Sequence, residues 1–138
     1  MEKDAIFFVG QKAFIEKNGE ILVLRRQDGG RLDLPGGKVQ EGETDLEESL
    51  RREVREETGL EIEVEEPLLA WYNVFPKGHR NEGKKIFLVG YKCRYKSGNV
   101  VLSEEHGSYQ WVNKNNYKLF KDSSKNFAAL ESFFAKRV

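Results

Sequence analysis

The stretch PGGKVQEGETDLEESLRREVREETGL, Pro35 to Leu60, sets a run of turn residues in front of a segment that is apolar on one side and crowded with glutamate on the other. Asp45 followed by Glu48 has the form of a capping box, and Gly59 is the expected left-handed stop, so the caps predict a helix from Leu46 to Thr58. At about 100° per residue, Leu46, Leu50 and Val54 form one stripe, and Glu53, Glu56 and Glu57 fall at i, i+3 and i+4 on an adjoining one. Like charges on neighbouring turns repel, so something must offset them. The helix alone leaves two readings open. One is a solvated face with Arg52 and Arg55 as counterions. The other is a shared divalent cation, because Mg2+ takes hard oxygen ligands and is shared with substrate phosphates.

Working outward, the charge imbalance is local. Between Glu41 and Glu66 stand twelve acidic residues against three basic ones, yet the formal net charge of the 138-residue chain is zero. A protein that binds nucleic acid through a basic surface is therefore not expected. The length suits one domain with a single ordinary core. No apolar run approaches the roughly 20 residues that span a bilayer, and the start, MEKDAIFFVGQKAFI, shows no small-residue cleavage site, so a cytoplasmic protein without membrane attachment is expected. Cys93 is the only cysteine, which rules out an intramolecular disulfide and a Cys-rich zinc site. Its setting in FLVGYKCRY reads as a strand.

The remaining pattern is α+β. AIFFVGQKAFI and EILVLRR read as strands joined at Asn18-Gly19, followed by the short segment Leu32 to Leu34. After the helix, EIEVE alternates, LLAWYNVF is apolar and aromatic, KIFLVGYKCRY is a long strand, KSGN turns the chain, and SYQWV is a last short strand. KNFAALESFFAKRV places Phe127, Leu130 and Phe134 on one stripe of a terminal helix that ends in Lys and Arg. Strands on both sides of one helix, with a second helix at the end, predict a mixed sheet between helices.

Pro35-Gly36-Gly37 gives a tight turn whose backbone can approach a ligand, and Glu41-Gly42-Glu43 adds a second turn with a carboxylate ahead of the helix. Taken whole, the stretch resembles the signature of the Nudix (MutT-like) hydrolases: a Gly, five residues, a Glu, seven residues, then Arg-Glu-aliphatic-any-Glu-Glu-any-Gly-aliphatic. Gly37 and Glu43 match the front, and Arg52 to Leu60 matches the back without a gap. Eight residues, Thr44 to Arg51, stand where the signature has seven. Counting back from Arg52 puts Asp45 at the helix cap, so the extra residue falls at Thr44, and the relation of Glu43 to the helix is left open. The segments ending in Arg25-Arg26, LDLPGG and SEEHGSYQWV resemble family counterparts too, so the likeness covers most of the chain.

The resemblance implies one Nudix domain over residues 1–138, an α/β/α sandwich, dependence on Mg2+ (with Mn2+ as the alternative), and hydrolysis of a nucleoside diphosphate linked to another group. Glu53, Glu56 and Glu57 would hold the metal, with the Gly37 carbonyl as a further ligand and Arg52 as an orienting partner. Glu105, ahead of Glu104 in preference, is the candidate general base from a late loop. His106 is expected at the surface. For substrate, the candidates are Arg26 for phosphate, Gly36 and Gly37 for close backbone approach, and Trp71, with Tyr72 and Phe75, for stacking, with core packing as the alternative for an aromatic run at strand spacing. The loop PKGHRNEGKK reads either as a lid or as a solvated hairpin tip.

MutT-like conversion of a nucleoside triphosphate to monophosphate and pyrophosphate is the expected activity. ADP-ribose, nucleotide-sugar and dinucleoside polyphosphate hydrolysis stand as alternatives. A nucleotide-sensing regulator without catalysis is disfavoured because all three helix glutamates are present, and an isoprenyl diphosphate isomerase because Cys93 sits in a strand. The family resemblance also implies a small-molecule nucleotide partner, with homodimerisation common.

Overall fold

A computed structural model describes residues 2–136. The order of elements is β1 (Phe7–Lys17), β2 (Glu20–Arg26), β3 (Leu32–Asp33), β4 (Gly36–Lys38), α1 (Leu46–Thr58), β5 (Glu61–Val74), β6 (Lys85–Ser97), β7 (His106–Val112), a 3-10 turn (Tyr117–Phe120) and α2 (Lys125–Lys136). The seven strands form one mixed sheet with the path β3-β2-β1-β6-β5, in which β1 runs parallel to β6, β4 pairs with β1, and β7 pairs with β2. Hydrophobic clusters cover both faces. Leu50 and Val54 of α1 lie with Ala13, Ile15, Leu22 and Leu24 on one. Phe127, Leu130 and Phe133 of α2 lie with Phe14, Ile21 and Val23 on the other. Alternate residues of β1 and β2 thus feed opposite layers, and the expected sandwich follows from the period-2 pattern.

The feature that positions the site is a fork. β1 and β2 pair only at the hairpin end, Glu16 with Ile21 and Lys17 with Glu20, where Asn18 (φ 52°) and Gly19 (φ 80°) supply the left-handed turn. Beyond that the strands part. β3 fills the gap on the β2 side, pairing Asp33 with Leu24, and β4 fills it on the β1 side, pairing Gly36 with Lys12. The LDLPGG segment therefore spans the fork, and the Ala13 amide donates to the Pro35 carbonyl at 2.8 Å to fix it there.

Several local expectations change. EIEVE and LLAWYNVF are one strand, β5, whose irregular register around Glu66 to Leu69 absorbs Pro67. On α1, Leu50 and Val54 are buried but Leu46 is 46% exposed, although its carbonyl accepts Gln11 Nε2 of β1 at 2.9 Å. On α2, Phe133 is fully buried against Phe14, with ring centroids 4.5 Å apart, whereas the expected Phe134 packs only at the margin of the cluster. The turn at Tyr117–Phe120 has no clear periodic signal in the sequence, and Arg137, at the basic helix end, lies outside the described residues. Among the described residues no helix is long and apolar enough to cross a membrane.

Candidate active site

The caps of α1 form as read. The Asp45 carboxylate accepts the Glu48 amide at 3.1 Å, and the Gly59 amide, at φ 73°, donates to the Arg55 carbonyl. Only half of the capping box is made, since the Glu48 side chain turns to Arg51 at 2.9 Å instead. Thr44 lies ahead of the cap, so the extra residue sits in the loop and the glutamates keep their helix register.

Those glutamates do not share one environment. Glu57 is 9% exposed and accepts the Gly36 amide at 3.0 Å. Burial pushes its carboxyl up to about 7 against the opposing pull of Lys12 and of that hydrogen bond. Glu53 lies against Gly37, where an added Cβ would stand 2.6 Å from the carboxylate carbon, and burial raises its pKa as well. Glu56 is drawn outward to Arg52, 3.0 Å from both carboxylate oxygens. Arg52 also reaches Glu53 at 3.0 Å and Glu43 at 3.1 Å, so one guanidinium gathers three carboxylates. This fixes the relation left open for Glu43: despite the inserted residue, it joins the Arg52 cluster, and its amide-bound turn at Gln40 holds its pKa down.

Among the described residues no three acidic, His or Cys side chains are arranged to hold a metal, because Glu56 is turned away to Arg52. The donor set nevertheless fits a hard divalent cation. Glu53 and Glu57 are desolvated carboxylates with raised pKa values, lying against adjacent glycines of β4. Such groups favour a nearby positive charge in the ionised state.

A polar network with only a weak signal in the sequence lies in the fork. Asp33, 5% exposed, accepts Lys12 Nζ at 2.9 Å, the Leu34 amide at 2.8 Å and Asn126 Nδ2 at 3.2 Å on one oxygen, and pairs with His106 Nε2 at 2.9 Å on the other. Lys12 above all holds the Asp33 carboxyl far below its usual range against the cost of burial. His106 is accordingly 4% exposed, and the expectation of a surface histidine is corrected. The lone Asp in an otherwise apolar LDL segment was the available clue; its partners are distant in sequence.

The network floors a cavity of about 310 Å3 on the α2 face, lined by Lys12, Arg26, Arg31, Phe75, His79 and Asn126 among others. Arg26 Nη1 stands 3.7 Å from Asp33, while Arg25 turns to Phe120 and the Gly30 carbonyl. Phe75 and His79 stack at 4.6 Å as one wall, so the PKGHRNEGKK loop borders this cavity through Pro76 and His79. Trp71 is elsewhere. It packs on Phe14 and lines a separate groove of about 370 Å3 between β5 and α2, because its strand position faces the α2 layer. Tyr72 carries Lys125 Nζ 4.4 Å above its ring at that same groove. Glu104 and Glu105 are exposed, on a loop anchored at both ends: the Ser103 amide donates to the Glu57 carbonyl at 3.2 Å, and His106 is tied to Asp33. Cys93 is buried in β6 with its thiol pushed up to about 12, and has no place in this chemistry.

The NUDIX domain profile matches residues 11–133. A MutT-like protein of Streptomyces ambofaciens is 33% identical over 98 residues, 71% of this chain, which spans 58% of that relative's length. A nucleoside triphosphatase, NudI, of Escherichia coli is 31% identical over 110 residues, covering 71% of this chain and 76% of its own. The crystal structure of a MutT protein from Methanosarcina mazei Go1 superimposes with a TM-score of 0.79 at 28% identity, covering 98% of this chain and 97% of the other. With the signature, the sandwich and the fork in agreement, the chain belongs to the Nudix hydrolase family.

Proposed function

We propose that this protein is a Mg2+-dependent nucleoside triphosphate pyrophosphohydrolase that releases a nucleoside monophosphate and pyrophosphate. The observation that carries the reading is a pair of desolvated carboxylates, Glu53 and Glu57, the second of them within reach of the charge of Lys12, which itself lines a cavity with Arg26 and Arg31. A polyphosphate needs both: a cation to offset charge at the cleaved anhydride, and basic donors for the oxygens left over. The name of the NudI relative supports a triphosphate substrate.

In this reading Glu53 and Glu57, with the Gly37 carbonyl, would hold the metal, and Glu56 would join them on leaving Arg52; the metal would neutralise phosphate charge and lower the pKa of the attacking water. Arg52 orients Glu53 through its bond to that carboxylate at 3.0 Å. Arg26 binds phosphate, Gly36 and Gly37 let the chain approach it, and Phe75 with His79 encloses the base. Glu105, on the loop anchored to the Glu57 carbonyl, accepts the proton of the attacking water. A cytoplasmic location belongs to the same proposal.

The test is hydrolysis by purified protein of nucleoside triphosphates, ADP-ribose, nucleotide sugars and dinucleoside polyphosphates, each with Mg2+ and with EDTA and with products separated by chromatography. EDTA-sensitive release of monophosphate and pyrophosphate from triphosphates is expected. Preferred turnover of another class would replace the substrate, and EDTA-resistant turnover would remove the metal.

A further inference from the structure

We propose that the buried Lys12–Asp33 ion pair is the positioning device of the metal-binding end of the site, acting on Glu57 and Gly37 through the Leu34–Gly37 segment. The inference rests on the metal reading above. A buried ion pair is by itself a weak source of stability, since apolar groups of similar volume often serve as well, so its presence here calls for a role in placement.

The bonding pattern supplies that role. Lys12 Nζ donates to the Leu34 carbonyl at 3.1 Å as well as to Asp33, and Asp33 accepts the Leu34 amide at 2.8 Å. Both backbone polar groups of Leu34 are thereby held by the pair. The next carbonyl, Pro35, accepts the Ala13 amide at 2.8 Å, and the next amide, Gly36, donates to Glu57 at 3.0 Å. Gly36 is pressed so closely on β1 that a Cβ would lie 2.0 Å from the Gln11 carbonyl oxygen, at a φ of 143°. The pair is thus joined to the Glu57 carboxylate and the Gly37 carbonyl by a short segment, Leu34 to Gly37, that is bonded at Leu34, Pro35 and Gly36 and has little free space against β1. His106 and Asn126 complete the anchor from β7 and from the start of α2, holding Asp33 itself in place. Partners that orient ligating groups in this way typically contribute about ten- to a hundredfold in metal affinity.

The test is Mn2+ binding to the nucleotide-free protein, read as free Mn2+ by electron paramagnetic resonance. The chain carries Lys12→Met together with Asp33→Asn, so that neither charge is left buried alone. The expected result is a Mn2+ dissociation constant raised about ten- to a hundredfold, with cooperative unfolding in EDTA retained. Lys12→Gln with Asp33→Asn keeps neutral hydrogen-bonding groups at both positions and serves if the first variant does not fold. Glu57→Gln in the same titration separates the two claims. A wild-type Mn2+ site that weakens in Glu57→Gln but not in the pair variants leaves the metal reading standing and overturns the positioning role. The absence of any wild-type Mn2+ site sensitive to Glu57→Gln overturns both. Loss of folding in both pair variants would make the pair a stabilising element and overturn the proposal.

Discussion

Replacing Glu57 by Gln should abolish turnover and at the same time stabilise the protein in EDTA, by an amount that grows with pH. In the folded chain the Glu57 carboxyl, 9% exposed, titrates at about 7 against an ordinary 4.5. Between those values the folded protein keeps a proton that the unfolded chain has released, so wild-type stability falls as pH rises from about 4.5 to about 7 and levels off above. The separation of about 2.5 between the two pKa values, at about 1.4 kcal/mol per pH unit, limits the loss to about 3.5 kcal/mol. Glutamine has no such proton, and its amide oxygen can still accept the Gly36 amide. Urea denaturation of both proteins in EDTA at about pH 5 and about pH 8.5 isolates the effect, because other titrating groups are common to both. The advantage of the variant at the higher pH should exceed that at the lower by about 2.5 kcal/mol. Mg2+ should remove the pH-dependent loss in the wild type by favouring the ionised carboxylate. An advantage of equal size at both pH values would show that Glu57 is not a desolvated carboxylate, and the argument for a cation beside it would fail.

Gly37→Ala places a methyl 2.6 Å from the Glu53 carboxylate carbon at an ordinary backbone φ, so kcat should drop about a hundredfold while circular dichroism stays native. A fully active alanine variant would show that Glu53 need not lie against β4. Glu105→Gln should lower kcat about a hundredfold or more without changing Mn2+ affinity, whereas Glu104→Gln should leave both near wild type. Equal rates in the two variants would remove Glu105 as the base. Phe133→Ala, which removes a ring stacked 4.5 Å from Phe14, should cost about 3–5 kcal/mol in chemical denaturation. Phe134→Ala should cost clearly less, and the reverse order would contradict the packing of α2.

Much of this protein is written locally. The caps Asp45 and Gly59, the register of Glu53, Glu56 and Glu57, the Asn18-Gly19 hairpin and the period-2 strands depend on residues a few positions apart, where propensity, capping and turn chemistry act directly. The α/β/α layering and the identity of the helix carboxylates were legible for that reason. Which helix residues meet the core was less so. Leu46 and Phe134 satisfy the spacing, but how each helix is rotated and seated on the sheet is fixed by packing, which exposes the first and favours Phe133 over the second. The same holds for the aromatic run of β5, where Trp71 and Phe75 are four residues apart and end in different cavities. The floor of the site was decided by tertiary structure alone. Lys12, Asp33, His106 and Asn126 come from β1, β3, β7 and α2, and no local rule links bonded residues as far apart as Asp33 and Asn126, separated by 93 positions. The parting of β1 and β2 brings them together around Asp33, whose buried carboxylate would be costly without partners and takes them from three distant elements.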